Sequence, residues 1–379
     1  MFVGTLPADQ IVLPGASKET HIVLRSVRSS ILQETDHTLR FDPSADINWQ
    51  ELKNLAMQNK LAVLLLRGFN RNANQIPMDV RGTLENCQRA TLQSNAINLV
   101  TLRHMIPKLR SHGINPVVFK GPVAQKLIYG DFFAKPSLDL DLLVFPREYN
   151  TASRLIENNG FTLADECSST WWTFFLGEQH FFSNDSSQIQ IDLHYRTQQP
   201  GCPTPYRPEL FMSKLLSVDV GTSQIRTLSI TNTCLLSCMN LVKALIHREP
   251  AGGHVCDIAA NVLGNRPEEL MQLFDDASRQ GLRNTLLLGL RSSALLFGIQ
   301  VRSESGAVEN ILQDTTNANL LNMILFPSSS ETHWRKRSKM LWDLCDHKSA
   351  YLRAASWKLG GELCRLYFSR PHRILSPMN

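Results

Sequence analysis

The sequence predicts an α+β protein in which a small mixed sheet with helices lies between two helical regions. Three observations predict it. Pro116-Val-Val-Phe-Lys-Gly-Pro122, Ala124 to Gly130 and Leu138-Asp-Leu-Asp-Leu-Leu-Val144 read as strand, tight turn, short helix and strand. Apolar residues keep a helical period before that unit, between Asp46 and His112. They keep one again after it, from Thr231 onward.

Residues 1–45 stay unassigned. Leu13-Pro-Gly-Ala marks a turn, and His21-Ile-Val-Leu-Arg-Ser-Val-Arg fits a strand or a helix. Residues 46–113 form a helical unit. Asp46-Ile-Asn-Trp-Gln-Glu-Leu places a polar cap before an apolar series, and Leu52, Leu55, Ala56, Leu61, Leu64 and Leu65 carry one helix to Arg67. After a loop from Gly68 to Ile76, a long helix runs from Val80 to His112, kinked at Pro107 and stopped at Gly113.

The α/β unit spans residues 114–200. In strand Leu138–Phe145, side chains alternate, so Leu138, Leu140 and Leu142 point inward while Asp139 and Asp141 share the other face, about 7 Å apart. Pro146-Arg-Glu-Tyr opens a helix to Asn159, with Gly160 just past its end. Phe161-Thr-Leu is a short strand. Gln179–Ser183 and Gln188–Arg196 form a hairpin around Asn184-Asp-Ser-Ser. On its second strand Ile189, Ile191, Leu193 and Tyr195 face one way, and Gln190, Asp192 and His194 the other. A Pro-rich loop (Pro200–Pro208) leads to a helical domain, residues 225–379, with clear helices at Thr231–Arg248, Gly253–Leu263, Pro267–Gln280, Leu282–Gly298 and Trp334–Phe368.

Composition excludes several classes. Of 379 residues, 43% are hydrophobic and 19% charged, as in globular domains. No apolar run reaches the length of a membrane span, and Met1-Phe-Val-Gly-Thr-Leu-Pro lacks a signal peptide's basic region and apolar core, so a cytoplasmic location is expected. Eight cysteines include no CxxC pair, and Cys234 and Cys238 fall in an apolar helical pattern, which argues for buried reduced thiols over a metal site. The net charge is +5, and residues 331–379, with ten basic and four acidic residues, carry more than all of it.

Asp139, Asp141 and Asp192 stand out because all three lie on strands of the same small unit. Two-metal phosphoryl transfer needs carboxylates converging on ions about 4 Å apart. A third carboxylate completes the second site or takes a proton. Lys120-Gly121 opens a helix just upstream. Glycine lets the backbone approach a ligand, helix N-terminal amides suit phosphate, and Lys120 adds positive charge.

In that order and spacing the chain resembles the DNA polymerase β-like nucleotidyltransferase superfamily. More closely, it resembles the uncharacterised bacterial nucleotidyltransferase family with a lysine–glycine turn. The matching stretches are Val118-Phe-Lys-Gly121, Leu127-Ile-Tyr-Gly130, Lys135, Asp139-Leu-Asp-Leu-Leu-Val144, Asn159-Gly-Phe161, Asp192-Leu-His-Tyr195, and His247 before Asp257-Ile-Ala-Ala260. Two departures are Pro122, where the superfamily has Ser or Gly, and Lys135, where the closer family has Arg. The resemblance implies a minimal nucleotidyltransferase core that moves a nucleoside monophosphate from an NTP, ATP foremost, to an acceptor, with release of pyrophosphate. It implies Mg²⁺ or Mn²⁺ on Asp139, Asp141 and Asp192, with Asp192 also deprotonating the acceptor. Lys120, Gly121 and Lys135 would hold the triphosphate, and His194 would orient Asp192 or touch substrate. The acceptor can be a small molecule, a peptide or protein, or an RNA 3′ end as in a tRNA-modifying toxin. A nucleotide-binding pseudoenzyme is the alternative that Pro122 allows.

Other candidates carry a plain structural reading beside the functional one. His180, on the partner strand, can join the site. Lys243 and His247 share a helix face that lines a cleft or faces solvent. Asp257 caps or tethers helices. Trp171-Trp172 with Phe174 and Phe175 stack a base or pack a core. His333-Trp-Arg-Lys-Arg-Ser-Lys339 with Trp342, Trp357, Arg365 and Arg370 hold an anionic surface or form a solvated helix face over buried tryptophans.

Overall fold

The computed structural model describes residues 1–33, 46–69, 76–185, 189–303, 306–307 and 311–368. Strand β1 (Phe2–Thr5) is followed by α1 (Lys18–Leu32), so His21–Arg28 is helical. Ser17 caps α1 by accepting from the Thr20 amide, and its hydroxyl donates to Glu51. Next come α2 (Trp49–Gln58), α3 (Ala62–Phe69) and α4 (Met78–Arg110). The single helix expected up to Arg67 is broken between α2 and α3, where Lys60 adopts a left-handed φ of 57°. Buried Asn59 enforces the break. Its amide donates to Leu55 O and Leu325 O, and its side-chain oxygen accepts from Gly252 N–H. Pro107 sits in the last turn of α4, which runs on to Arg110.

The α/β unit comprises β2 (Val117–Val118), α5 (Gly121–Tyr129), β3 (Asp139–Leu143), α6 (Tyr149–Glu157), β4 (Phe161–Leu163), a π-helical turn (Trp171–Leu176), β5 (Glu178–Ser183) and β6 (Gln190–His194). Its sheet order is β2-β3-β6-β5-β4, with β3 and β6 parallel and the other neighbours antiparallel. The tip of the β5–β6 hairpin, residues 186–188, lies outside the described residues. Leu140 and Leu142 are buried, but Leu138 is 75% exposed. The strand begins at Asp139, so Leu138 never enters the pleat that would have turned it inward.

After the short α7 (Pro208–Phe211), β7 (Leu215–Val220) and β8 (Ser223–Leu228) form a hairpin around Gly221 that the sequence reading did not find. The helical end holds α8 (Ile230–His247), α9 (Gly252–Gly264), α10 (Pro267–Gln280), α11 (Arg283–Phe297), β9 (Ile299–Ser303), β10 (Gly306–Ala307), α12 (Asn317–Leu325), α13 (Arg337–Leu344) and α14 (Lys348–Phe368). The stretch expected as one helix from Trp334 is thus two, α13 and α14. β1 pairs antiparallel with β9, which ties the first residues of the chain to the helical end.

Two cores result. One gathers apolar residues of α1–α3 with those of α8–α12, and Val117, Phe119 and Leu143 of the sheet unit join it. The other lies under the sheet and takes Leu102 and Met105 of α4, Leu140, Leu142, Ile191 and Leu193. Each such buried aliphatic side chain contributes about 1.5–3 kcal/mol. The sheet unit is therefore buried on its Leu140–Leu193 face, and its opposite, acid-bearing face meets α8 and α9. No helix among the described residues is long and apolar enough to cross a membrane. Cys234 and Cys238 are buried free thiols on α8. The basic end is partly neutralised: Arg335 and Lys339 both pair with Asp314, and Arg335 also meets Asp343. Trp342 is half-exposed, and Arg370 lies outside the described residues.

Candidate active site

Strand alternation and register assemble the site. β3 and β6 pair so that Asp141 lies directly across from Asp192, with Asp139 one step along, opposite Gln190. Asp141 is 4% exposed and Asp192 5%. The loop before β3 is clamped by α4. Asn95 donates to Phe132 O and Lys135 O, and Asn98 to Ser137 O and Asp139 O. These two buried asparagines interrupt the apolar face of a long helix, and that interruption is the signal by which sequence reasoning could have found them.

At the turn, Lys120 is the N-cap residue of α5 and Gly121 its first residue. Gly121 has φ +68°, and a Cβ there would lie 2.9 Å from Ser137 Oγ. Glycine is therefore required both for backbone conformation and for space. Pro122 sits in the first turn, where its fixed φ suits a helix start and its missing N–H breaks no helical bond. Lys120 Nζ donates to Asp141 Oδ1 at 2.7 Å, and His194 Nε2 lies 3.1 Å from the same oxygen.

β5 adds a fourth acid that the sequence reading missed, Glu178. Glu178-x-His180 and Asp192-x-His194 repeat one pattern on antiparallel strands, so His180 faces Asp192 and Glu178 faces His194. His180 Nε2 is 2.7 Å from Glu178 and 3.6 Å from Asp192, and Trp172 packs edge-on against its ring at 4.8 Å. The repeated acid-x-His spacing was the available signal. Phe174 and Phe175 pack on Trp357.

Electrostatics divides these acids. Burial works against the charge of Asp141, but Lys120 and His194 outweigh it and hold that carboxyl well below the usual range. Burial also opposes ionisation of Glu178, yet His194 and His180 bring it down to about 2. Asp139 and Asp192 go the other way. Burial and the charge of Asp141 raise both, Asp192 to about 6. Crowded, buried carboxylates of this kind are relieved by a cation. Ligand atoms of Asp141, Asp192 and His194 converge within 4.8 Å, as do those of Glu178, His180 and Asp192. Oxygen-rich donors suit Mg²⁺ or Mn²⁺. A metal bound to Asp192 would have to displace its proton, so Mn²⁺ affinity at such a site is expected to fall about tenfold as pH drops from about 7 to about 5. Calorimetry across that range checks this, and a flat affinity would remove Asp192 from the metal site.

Beside the acids lies a cleft of about 300 Å³ between the Lys120 turn and helices α8 and α9. Lys60, Lys120, Lys135 and Lys243 line it together with Asp139, Asp141 and His254. Lys60 is presented there by the left-handed break after Asn59. Lys243 reaches the cleft, whereas His247 does not line it and is exposed. Lys135 Nζ donates to Asp257 at 2.5 Å and to Gly253 O at 2.9 Å, and Tyr129 OH donates to Asp257 at 2.6 Å. Asp257 therefore tethers α9 to α5 and to the loop before β3.

Residues 45–298 match the family described as "uncharacterised nucleotidyltransferase". The chain belongs to this family. No curated protein matches it. Among solved structures, an antigenic nucleotidyltransferase-like protein from Paracoccidioides brasiliensis is similar at 14% identity, over 50% of this chain and 91% of that one, with a TM-score of 0.30. The nucleotidyltransferase match includes every acid and lysine of the cleft. Helices α13 and α14 lie beyond it.

Proposed function

We propose that the protein transfers a nucleoside monophosphate from an NTP to an acceptor hydroxyl or phosphate and releases pyrophosphate. The observation that carries this reading is the pairing of Asp141 with Asp192 on parallel strands, beside a Lys-Gly turn whose helix opens into the same cleft. Asp139, Asp141 and Asp192 would hold Mg²⁺ or Mn²⁺. When bound, such an ion supplies charge neutralisation for the triphosphate and the entering oxygen.

This chain's own residues do the rest. Lys60, Lys120 and Lys243 balance the triphosphate's charge, and the first amides of α5 donate to its oxygens. Lys135, already held by Asp257 and Gly253 O, shapes the cleft floor and leaves phosphate to the other three. The acceptor oxygen forms a bond to the α-phosphorus as the bond to the β-bridging oxygen breaks, and pyrophosphate leaves. The acceptor proton passes to Asp192, whose raised pKa of about 6 makes it the better base of the buried acids. Gln190, whose Nε2 donates to Asp192 Oδ1 at 2.8 Å, keeps that carboxylate oriented, with His180, itself paired to Glu178, 3.6 Å from its other oxygen.

Calorimetric titration with ATP and Mg²⁺, paired with α-labelled NTPs and cell lysate, tests the reading. Binding with label transfer and pyrophosphate release is expected. Binding without release would make this a nucleotide-binding pseudoenzyme, and neither would overturn the nucleotide reading altogether.

A further inference from the structure

A second cavity, of about 220 Å³, lies behind the catalytic cleft. Arg196 and Gln198, just past the strand that carries Asp192, form one wall, and Tyr206 of the Pro-rich loop forms another. Arg353 and Trp357 of α14 close it. Gln198 Nε2 donates to Asn240 Oδ1 at 2.9 Å, and Asn240 lines the catalytic cleft, so one hydrogen bond joins the walls of the two spaces. Arg196 follows Asp192 by four residues, about 13 Å of extended chain.

The chemistry of this cavity is one-sided. No Asp or Glu lines it, unlike the cleft. Among the described residues neither Arg196 nor Arg353 has a carboxylate partner. Their guanidinium groups lie instead over aromatic rings, Arg196 at 4.6 Å from Trp357 and Arg353 at 5.2 Å from Tyr206. A guanidinium resting on a ring is held flat, and its edge N–H groups stay available for a phosphate fork. Three of the wall residues, Arg196, Gln198 and Tyr206, each carry a buried polar atom with no hydrogen-bond partner (Nε, Oε1 and OH). The walls are built to stand where they do: Gly177, with φ +66°, leaves room for Arg196, since a Cβ there would lie 2.7 Å from its Cγ.

We propose that this cavity is the acceptor subsite and that the acceptor is a phosphate-bearing nucleotide, either free or as the end of an RNA strand. The proposal rests on the transfer reading above, which needs a second substrate on the Asp192 side. Arg196 and Arg353 grip the phosphate, and the sugar hydroxyl lies toward Asp192. Polycationic acceptors such as aminoglycosides are disfavoured, because the walls carry only positive charge.

The test is calorimetry with the cleft saturated by a non-hydrolysable ATP analogue and Mg²⁺. The probes are 5′-AMP, an eight-nucleotide single-stranded RNA, and spermidine. AMP or the RNA is expected to bind. Arg353→Gln should weaken that binding at least tenfold, and so should Gln199→Glu, which places a negative charge on the wall without touching the rings. The ATP-analogue titration should not change. AMP alone binding points to a free nucleotide, and RNA binding as well or better points to a strand end. Equal binding by both variants, or binding of spermidine in place of the anions, overturns the proposal. Retained ATP-analogue binding with no AMP or RNA binding sinks the subsite alone, whereas loss of ATP-analogue binding by the wild type sinks the transfer reading with it.

Discussion

Asp141→Asn is expected to abolish nucleotidyl transfer, with a loss on the order of 10³-fold or more in kcat/KM, while the fold survives. Asn keeps the shape of the side chain and an oxygen that still accepts from Lys120 and faces His194. What it removes is the charge that a metal and the triphosphate would meet. Stability should change little for two reasons. The lost carboxylate no longer has to be buried, and the Lys120 side chain, 29% exposed, reaches solvent on its own. Pyrophosphate release and thermal melting, measured together, check the expectation. Turnover within tenfold of wild type would remove the acids from the chemistry. Asp139→Asn should act in the same direction.

Asp257→Ala should be the most destabilising single change near the cleft, by about 3–5 kcal/mol. It leaves the Lys135 ammonium buried with only Gly253 O, and the Tyr129 hydroxyl without its carboxylate. Those groups sit on three different pieces of chain, so the loss loosens α9 from α5 and from the loop that leads into Asp139. Urea midpoints measure it. A loss below about 1 kcal/mol would mean the contact carries no weight. The pair Lys135→Met with Asp257→Leu should recover most of the stability, since well-packed apolar groups often replace a buried ion pair without cost. If that double variant also keeps its turnover, Lys135 is a structural residue. If it folds and loses turnover, the ammonium serves the phosphates.

The parts of this site that were legible in the sequence are those encoded locally. Asp139 and Asp141 announce themselves by strand alternation, Asp192 by the polar face of a later strand, and Lys120-Gly121 by a turn that opens a helix. Glu178 escaped because its role appears only once β5 is laid against β6 in register. Lys60 escaped because the apolar period runs unbroken past it, and what bends the chain there is Asn59, bonded to residues almost 200 and more than 260 positions away. The pairing of β1 with β9 leaves no trace in either segment alone. The β7–β8 hairpin was hidden in the residues between a Pro-rich loop and the first clear helix, with short strands of mixed polarity. Leu138 was misplaced because the strand starts one residue later, at Asp139, and alternation says nothing about a residue outside the pleat.

The pairing of residues 2–5 with residues 299–303 sets a timetable for synthesis. At about 5–20 residues per second, the first strand waits roughly 15–60 s for its partner to emerge from the ribosome. Through that interval α1 can pack on α2 and α3, which follow it closely, but the part of its apolar face that meets α9 and α11 stays uncovered. The sheet unit with its acids is translated in the middle of this wait, so its carboxylate face stands open until α8 and α9 arrive. A newborn chain would thus gain its cleft late, and slow codons between α7 and α8 would lengthen the exposure of the carboxylate face more than slow codons anywhere after β9.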